Sequence, residues 1–593
     1  MLRSQRLFSA LFSCILVSTM LLFSSSAHSA ETQRDREMER VLSDLPITFS
    51  GSYLSALLAD EDQDFDLAAR FYRDALSVDP DNPILVHKLF VATIVGGNME
   101  EGFQLAENLV KNKPDHQLAR LILGVKALKG KSYRSAQKHF GRGRDGDSPR
   151  LPSVMLSAWA DVALRQADKG IEKLELVGGP QWHALFTKLH AALMADLSGD
   201  LVRAERFFNE ALEIDKNSPR KIEAFARFLA RNDRKDEALK TISIGRAWQR
   251  NPVLRQLHSD ISADKKISPF ALNARSGASQ FLAGLGAILI RDNMSDLSAL
   301  YLQLAVYLDE ENDMALFSLG NAFGGMRKQV VAIGVYERVP ENSALKLDAR
   351  IQIGLDLHTL KRSDEAIEIF RALLKTRPEN LDVLQSLGDI LRGTSKFKQA
   401  AEIYSLAIDT AAKGKPESWH WVLRYYRGIS YERSGDWDRA EPDFLKALEI
   451  SPDQPLVLNY LGYSWVERGE NLDRGLEMLR TAVKKRPNDA FIIDSLGWAL
   501  FKLKRFDEAV VEIERSVELM PTEATIVDHL GDSYFRVGRI LEAHYQWKRA
   551  LELGPETDKA KAELEVKIVD GMPALVAQEK AAIEPKEPDS TSN

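Results

Sequence analysis

A single period governs the C-terminal part of the chain and limits what it can fold into. Glycines recur at intervals of 34, 35 and 34 residues, at Gly428, Gly462, Gly497 and Gly531. A second column, of prolines, keeps intervals of 35, 34 and 34 residues, at Pro452, Pro487, Pro521 and Pro555. Columns that share one period indicate an array of similar units, each of which contacts its neighbours.

One unit, residues 490–523, shows what each repeat forms. Ile493, Leu496 and Leu500 are spaced by three and four residues, which predicts an apolar stripe on a first helix. A polar corner at residues 504–507 separates this helix from a second one, which ends at Pro521 because proline cannot continue a helix. A small residue at Gly497 allows the two helix axes to approach closely.

These units resemble the tetratricopeptide repeat (TPR), a helix-turn-helix unit of 34 residues. The resemblance is carried best by residues 524–557, where the signature positions hold Leu530, Gly531, Tyr534, Ala543, Trp547, Ala550 and Pro555. It implies an all-α fold, an α-solenoid whose helix-turn-helix repeats form a right-handed superhelix. Twelve or thirteen units are expected between residues 49 and 557.

The phase of the repeat divides the chain. The interval from Ala238 to its equivalent Ser298 is 60 residues, 26 more than one period. We therefore predict an N-terminal array at 49–252, an irregular hinge at 253–278, a C-terminal array at 279–557, a capping helix at 558–572 and a disordered tail at 573–593. Residues 151–184 form either a degenerate repeat or a simple helical hairpin.

The first thirty residues predict export. Arg3 and Arg6 precede an apolar run from residue 7 to residue 23, and small residues follow, as in a secretory signal peptide. An uncleaved membrane anchor is one alternative, and a lipoprotein modified at Cys14, the sole cysteine, is another. Residues 31–48 form a polar spacer. We expect an exported, periplasmic protein, or one anchored to the membrane by this segment.

The sequence offers no catalytic, cofactor or metal motif. Lys129 and Ser132 lie in a phosphate-loop-like phrase, but the glycine that such a loop needs five residues before Gly130 is replaced by Val125. The histidines have no metal-binding spacing, and a net charge of -7 with 28% charged residues gives no reason to expect nucleic acid. We therefore predict a non-enzymatic protein without cofactor or metal.

A second stripe on the first helix of each repeat is the candidate binding surface. It lies at unit positions 2, 5, 9 and 12, which line the concave face in the family that the chain resembles; we call it the groove stripe. Its candidate contacts with a protein or peptide are Asn459, Tyr463, Asp494, Trp498, Phe501, Asp528 and Asp532. The rings could instead pack against adjacent helices.

The phrases around Asn459, Asp494 and Asp528 in residues 279–553 also resemble bacterial TPR adaptors that bind carboxyl-terminal processing proteases. This resemblance implies a non-catalytic scaffold that presents substrates to such a protease in the cell envelope. The same architecture serves scaffolds for polysaccharide export or envelope assembly, which is the alternative expectation. Membrane association would come through the N-terminus or through partners.

Overall fold

The computed structural model describes residues 48–142, 151–178, 181–244, 246–414 and 418–572. These residues form thirty α-helices and two short 3-10 helices, with no strand among them. The expected all-α architecture of TPR-type helical hairpins is confirmed. The chain divides into two compact units, unit 1 at residues 1–356 and unit 2 at residues 357–593.

Fourteen helical hairpins account for twenty-eight of these helices, rather than the twelve or thirteen that we expected. Six hairpins come first: α1 Phe49–Glu61, α2 Phe65–Val78, α3 Pro83–Val95, α4 Met99–Asn112, α5 Gln117–Lys129, α6 Tyr133–Arg142, α7 Leu151–Ala163, α8 Ala167–Glu175, α9 Gln181–Ser198, α10 Leu201–Ile214, α11 Pro219–Arg231 and α12 Lys235–Ile242. We call these the N-terminal hairpins. The segment at 151–184 is thus helical within this series, although α8 is short.

The remaining eighteen helices begin with α13, which has no hairpin partner. They are α13 Pro252–Ser262, α14 Ala274–Arg291, α15 Ser295–Leu308, α16 Asp313–Gly325, α17 Gln329–Glu337, α18 Lys346–Thr359, α19 Ser363–Thr376, α20 Leu381–Gly393, α21 Phe397–Lys413, α22 Trp421–Arg433, α23 Trp437–Ile450, α24 Pro455–Arg468, α25 Leu472–Lys485, α26 Ala490–Lys502, α27 Phe506–Leu519, α28 Ala524–Arg536, α29 Ile540–Leu553 and α30 Asp558–Asp570. Helix α30 follows the last hairpin at the position predicted for a cap.

Local sequence sets the ends of these helices. Helix α26 begins where the Asp489 carboxylate accepts the backbone N–H of Ile492, which satisfies a donor that has no partner within the helix. It ends at a corner where Lys504 takes a left-handed φ of 60°. Asn82 caps α3 in the same way as Asp489, and Pro83 occupies its first turn.

Glycine permits the close approach of the two helices in a hairpin. A Cβ atom on Gly497 would lie 2.4 Å from Cγ1 of Ile513 on α27. Between α24 and α25, a Cβ on Gly462 would lie 2.8 Å from the carbonyl oxygen of Gly475. The glycine at position 475, where the repeat signature has alanine, therefore belongs to a pair of helices whose backbones nearly touch.

Within unit 1, helices α14 and α15 pack against the N-terminal hairpins. We call them the central hairpin. Helix α14 contacts α7 and α9, and α15 contacts α3 and α5. Phe281 of α14 is fully buried, with its ring 5.5 Å from that of Phe186 and 5.6 Å from that of His190. Trp159 of α7 lies directly against Gly277.

Polar contacts fix the register of this packing. Lys129 Nζ lies 2.6 Å from a carboxylate oxygen of Glu310 and 2.6 Å from the backbone carbonyl of Tyr307. Lys328 pairs with Asp64 at 3.1 Å, and the Gln303 side-chain amide donates to the Val95 carbonyl at 3.1 Å. These bonds join residues separated by more than 170 positions in the sequence.

The compact units do not coincide with the arrays that the repeat phase predicts, and the division into two arrays stays a prediction. The predicted hinge at 253–278 contains α13 and a connection to α14, and it lies inside unit 1. The boundary between the units falls instead after Asp356, within α18. The reason is that α14 and α15, assigned by phase to the second array, pack against the N-terminal hairpins. Glu310 and Lys328, which follow them, also form ion pairs with those hairpins.

Several sequence-based expectations lie outside the described residues. These are the signal peptide or anchor at 1–30, the lipoprotein cysteine Cys14, all but the last residue of the spacer at 31–48, and the tail at 573–593. Within the residues that are described, no helix is both long and apolar enough to span a bilayer.

Replacing Gly277 with alanine tests the packing of the central hairpin against α7. In a Gly277→Ala variant the new Cβ would lie 2.3 Å from the Trp159 ring, so we expect the free energy of unfolding to fall by about 1–3 kcal/mol. The matched control is Gly324→Ala on α16, where a Cβ meets nothing within 4 Å and stability should rise by up to about 1 kcal/mol. Urea denaturation followed by circular dichroism measures both. Equal stability of the two variants would contradict this packing.

Candidate partner-binding groove

The middle of the groove stripe of unit 1 is covered by the central hairpin. On α5 its members Leu121, Val125 and Leu128 are buried, and on α7 Met155 and Trp159 are completely buried. A peptide could reach these side chains only by displacing α14 and α15, whose own apolar residues would then be exposed to water. The middle of this stripe therefore contributes to the core of unit 1.

The groove stripe of unit 2 is more open. On α24, Asn459 and Tyr463 are half-buried, and on α26 Trp498 is half-buried. Phe491, at position 2 of α26, is 54% exposed. Helix α24 contacts α26, and α26 contacts α28, so the stripes of successive repeats lie side by side. The structure thus places the candidate residues on adjacent first helices, as the repeat spacing predicts.

Asn459 has an unsatisfied acceptor in this groove. Its side-chain carbonyl oxygen is buried and has no hydrogen-bond partner among the described residues. A buried acceptor without a partner costs about 1–3 kcal/mol. Nearby, burial raises the pKa of the Tyr463 hydroxyl, and the carboxylates of Glu467 and Asp494 raise it further. Tyr463 therefore stays a neutral hydrogen-bonding group at any physiological pH.

Trp498 lies at the centre of a cluster of rings. Its indole stacks on the His529 imidazole with centroids 3.9 Å apart and an interplanar angle of 15°, and on Phe501 at 4.7 Å. Its Nε1 donates to Glu467 at 2.9 Å. Phe501 is buried and belongs to the core around α26. Packing therefore accounts for Phe501, while the half-buried Trp498 remains available at the groove.

His529 is the residue of this groove that the sequence analysis missed. Its Nδ1 lies 3.0 Å from the buried carboxylate of Asp494. Burial opposes the charged imidazolium, but Asp494, Asp528 and Asp532 together raise the pKa of His529 above its ordinary value. The available signal was the interval of 35 residues between Asp494 and His529, which places them on neighbouring first helices.

The last two predicted acids are already paired with the cap. Lys567 of α30 donates to Asp528 at 2.8 Å and to Asp532 at 2.9 Å, and Trp547 Nε1 donates to Asp532 at 2.9 Å. Burial, with the neighbouring Asp528 charge, raises the pKa of Asp532 to about 6. These acids hold α30 onto α28, whereas binding by Asn459, Tyr463 and Trp498 stays a prediction.

The pKa of His529 can be tested by removing its partner. In Asp494→Asn the carboxylate charge is lost while burial remains, so we expect the pKa of His529 to fall by roughly one unit or more. Because the folded pKa lies above the unfolded value of 6.5, the stabilisation is present below that value and is lost as the pH rises through the folded pKa. Histidine-labelled NMR titration measures the shift.

The control for this titration is Asp507→Asn, which changes an exposed carboxylate outside the cluster. We expect it to leave the titration of His529 unchanged. A His529 signal that titrates below 6.5 in the unmodified protein would contradict the pairing with Asp494.

Removing Lys567, the cation that pairs with Asp528 and Asp532, should lower the stability of the protein. Lys567→Met leaves the buried Asp532 carboxylate without its ion pair, so we expect a loss of about 2–4 kcal/mol. The loss should be smaller at pH 5 than at pH 8, because Asp532 then binds a proton. Thermal unfolding at the two pH values measures this. Lys561→Met on the exposed side of α30 is the control, and an equal loss in both variants would contradict the pairing.

Comparison with known proteins identifies the repeat. Residues 352–416 and 422–454 match two family models that both describe the tetratricopeptide repeat. A TPR repeat-containing protein from Pseudomonas aeruginosa is 27% identical over 198 residues, which cover 33% of this chain and 32% of that protein. Cellulose synthase operon protein C from Pseudomonas fluorescens is 23% identical over 381 residues, covering 61% of this chain and 28% of the relative. The chain thus spans about a third or less of the length of these two curated relatives.

Solved structures give more distant similarity. A tetratricopeptide repeat protein from Parabacteroides merdae is 18% identical, covers 43% of this chain and 98% of its own, and has a TM-score of 0.37. Yeast Tom70 is 14% identical, covers 91% of this chain and 97% of its own, and has a TM-score of 0.33. From the helical hairpins and the family matches, the protein carries TPR repeats and is a scaffold of the type that mediates protein interactions.

Proposed function

We propose that this TPR-type scaffold binds an extended segment of a partner protein along the groove stripe of α24 and α26. The observation that carries the proposal is the buried, unsatisfied carbonyl oxygen of Asn459, on the same stripe as the half-buried Tyr463 and next to the helix that bears Trp498. The equivalent stripe in the middle of the N-terminal hairpins is filled by the central hairpin.

The chemistry of these groups suits a peptide backbone with apolar side chains. If the half-buried Asn459 amide turns its oxygen toward the groove, a backbone N–H of the partner would satisfy that oxygen and remove its desolvation cost. The indole of Trp498 and the phenyl ring of Phe491, which is 54% exposed, offer apolar area of the kind found at binding hot spots. The Tyr463 hydroxyl has Glu467 as its hydrogen-bond partner, and its oxygen can accept a further backbone N–H of the same peptide.

The proposed setting is the cell envelope. The N-terminal thirty residues read as a signal for export, so the scaffold would act in the periplasm, either free or anchored by that segment. The phrases at Asn459, Asp494 and Asp528 resemble adaptors of carboxyl-terminal processing proteases. The proposed role is therefore to hold a substrate for such a protease, with no catalytic residue in the scaffold itself.

A second candidate function is a scaffold in polysaccharide export. It is favoured by the similarity to cellulose synthase operon protein C, which extends over 61% of this chain. In that case the groove of unit 2 would bind a component of a synthase or an export pore. The two candidates use the same groove and differ in the identity of the partner.

Affinity purification from the native cells distinguishes them. Tagged full-length protein is purified after mild crosslinking, and the proteins that accompany it are identified by mass spectrometry. We expect a specific partner whose recovery falls at least about tenfold in Asn459→Ala with Trp498→Ala, because these are central contacts. A serine protease among the recovered proteins would support the adaptor role, and a synthase or pore component the export role.

The matched control replaces Asn217 and Trp182 with alanine. Both are exposed residues of unit 1, outside this groove, so the control removes the same side-chain types and should leave recovery unchanged. Circular dichroism establishes that both double variants are folded. Equal recovery by the groove variant and the control, or no specific partner at any salt concentration, would overturn the proposal.

A further inference from the structure

A cavity of about 560 Å³ lies in unit 1, next to α11 and the start of α14. The groove stripe of α11 opens into it through Arg220, Glu223 and Arg227. Its other walls come from α13, from the connection at 263–273, from the start of α14, from the beginning of α16 and from residues 340–345. The volume falls within the usual range of small-ligand sites.

Of the two arginines that the groove stripe of α11 contributes to the cavity, Arg227 is paired with an acid and Arg220 is not. One of its amino groups donates to the Gln280 side chain at 2.5 Å, and its guanidinium lies over the Phe270 ring at 5.1 Å. None of the ion pairs described for this structure includes Arg220, whereas Arg227 pairs with Glu223 at 2.8 Å. Burial lowers the pKa of Arg220 despite the nearby charges of Glu223 and Asp313.

A guanidinium in this position is suited to a carboxylate. Its planar fork can donate two parallel hydrogen bonds to one carboxylate group. The Phe270 ring and the Gln280 amide restrict the orientation of the fork, so less side-chain entropy is lost when a ligand binds. Arg220 is half-buried and has no close ion-pair partner among those described, so its pairing with a carboxylate is screened less than it would be in water.

Acidic groups also line the cavity. Asp309 and Glu311 both face it, and neither takes part in an ion pair described for the structure. Asp313 differs from them, since it accepts from the Ser343 hydroxyl at 2.5 Å and from the backbone N–H of Met314 at 2.8 Å. Asp309 and Glu311 therefore offer acceptors for a positively charged group.

The balance of charge decides the class of ligand. The lining has three cationic side chains, those of Arg220, Arg227 and Lys266, and five acidic ones, those of Glu223, Asp260, Asp309, Glu311 and Asp313. An excess of two negative charges disfavours phosphates and other multiply charged anions. A ligand with one carboxylate and one ammonium group can pair with both the cationic and the acidic side chains of the lining.

We propose that this cavity binds a short peptide with free termini, its carboxylate on Arg220 and its ammonium group at Asp309 and Glu311. An extended tripeptide is roughly 10 Å long, which suits a cavity of about 560 Å³. This site is separate from the groove of unit 2 and does not depend on the function proposed for that groove.

Calorimetric titration of the purified full-length protein with trialanine tests the proposal. Three probes are compared: trialanine with free termini, its carboxyl-terminal amide and its N-acetyl derivative. We expect the free peptide to bind and each capped peptide to bind at least about tenfold more weakly, because each cap removes one charge-assisted interaction. Binding of all three peptides alike, or no binding at millimolar concentration, would overturn the proposal.

Variants assign the two ends of the ligand. Arg220→Gln should weaken the free peptide about tenfold or more and leave the affinity of the amide unchanged. Asp309→Asn with Glu311→Gln, which removes both charges and keeps the size of the side chains, should weaken the binding of the free peptide and leave that of the N-acetyl peptide unchanged. Arg371→Gln, an exposed arginine in unit 2, is the control. Wild-type affinity for the free peptide in both cavity variants would refute the assignment.

Discussion

The packing of the central hairpin against the N-terminal hairpins is the interaction on which the rest of unit 1 depends. Trp159 fits against Gly277, and Phe281 fills the space between Phe186 and His190. A TPR-type hairpin usually buries only the faces that touch its neighbours in the array. Here the groove stripe of α5 and α7 is buried as well. The groove stripe of unit 2 and the cavity beside α11 remain open.

The fold class could be predicted from the sequence because the repeat is a local property. The 34-residue period, the small residues at Gly462 and Gly497 and the closing prolines each act within one hairpin or between neighbours. Residues 274–308 pack against hairpins within residues 83–198, which are far away in the sequence. The 34-residue period gives no information about this contact. The break in phase at 253–278 therefore predicts a boundary, whereas the compact unit continues to Asp356.

The sequence could predict which helices carry the candidate groove residues, but not which ion pairs those residues form. Repeat spacing places Asn459, Asp494 and Asp528 on adjacent first helices, as the structure shows. It does not show that His529 would reach back to Asp494, or that Lys567 would reach both Asp528 and Asp532. Such ion pairs depend on side-chain direction and on the cap that follows the array. These ion pairs show that Asp494, Asp528 and Asp532 stabilise the scaffold. Asn459 and Trp498 are the groups that we propose for partner binding.

Zero-length crosslinking of the full-length protein at high dilution tests whether the central hairpin packs against the N-terminal hairpins. A carbodiimide joins an amine to a carboxylate only when the two are in contact. Lys129 lies 2.6 Å from Glu310, and Lys328 lies 3.1 Å from Asp64. If the central hairpin fills the groove, we expect both pairs to be recovered as intramolecular crosslinks by mass spectrometry. If neither pair is found while the Lys567–Asp528 pair of the cap, at 2.8 Å, is recovered, then the central hairpin does not fill the groove and unit 1 is open to partners.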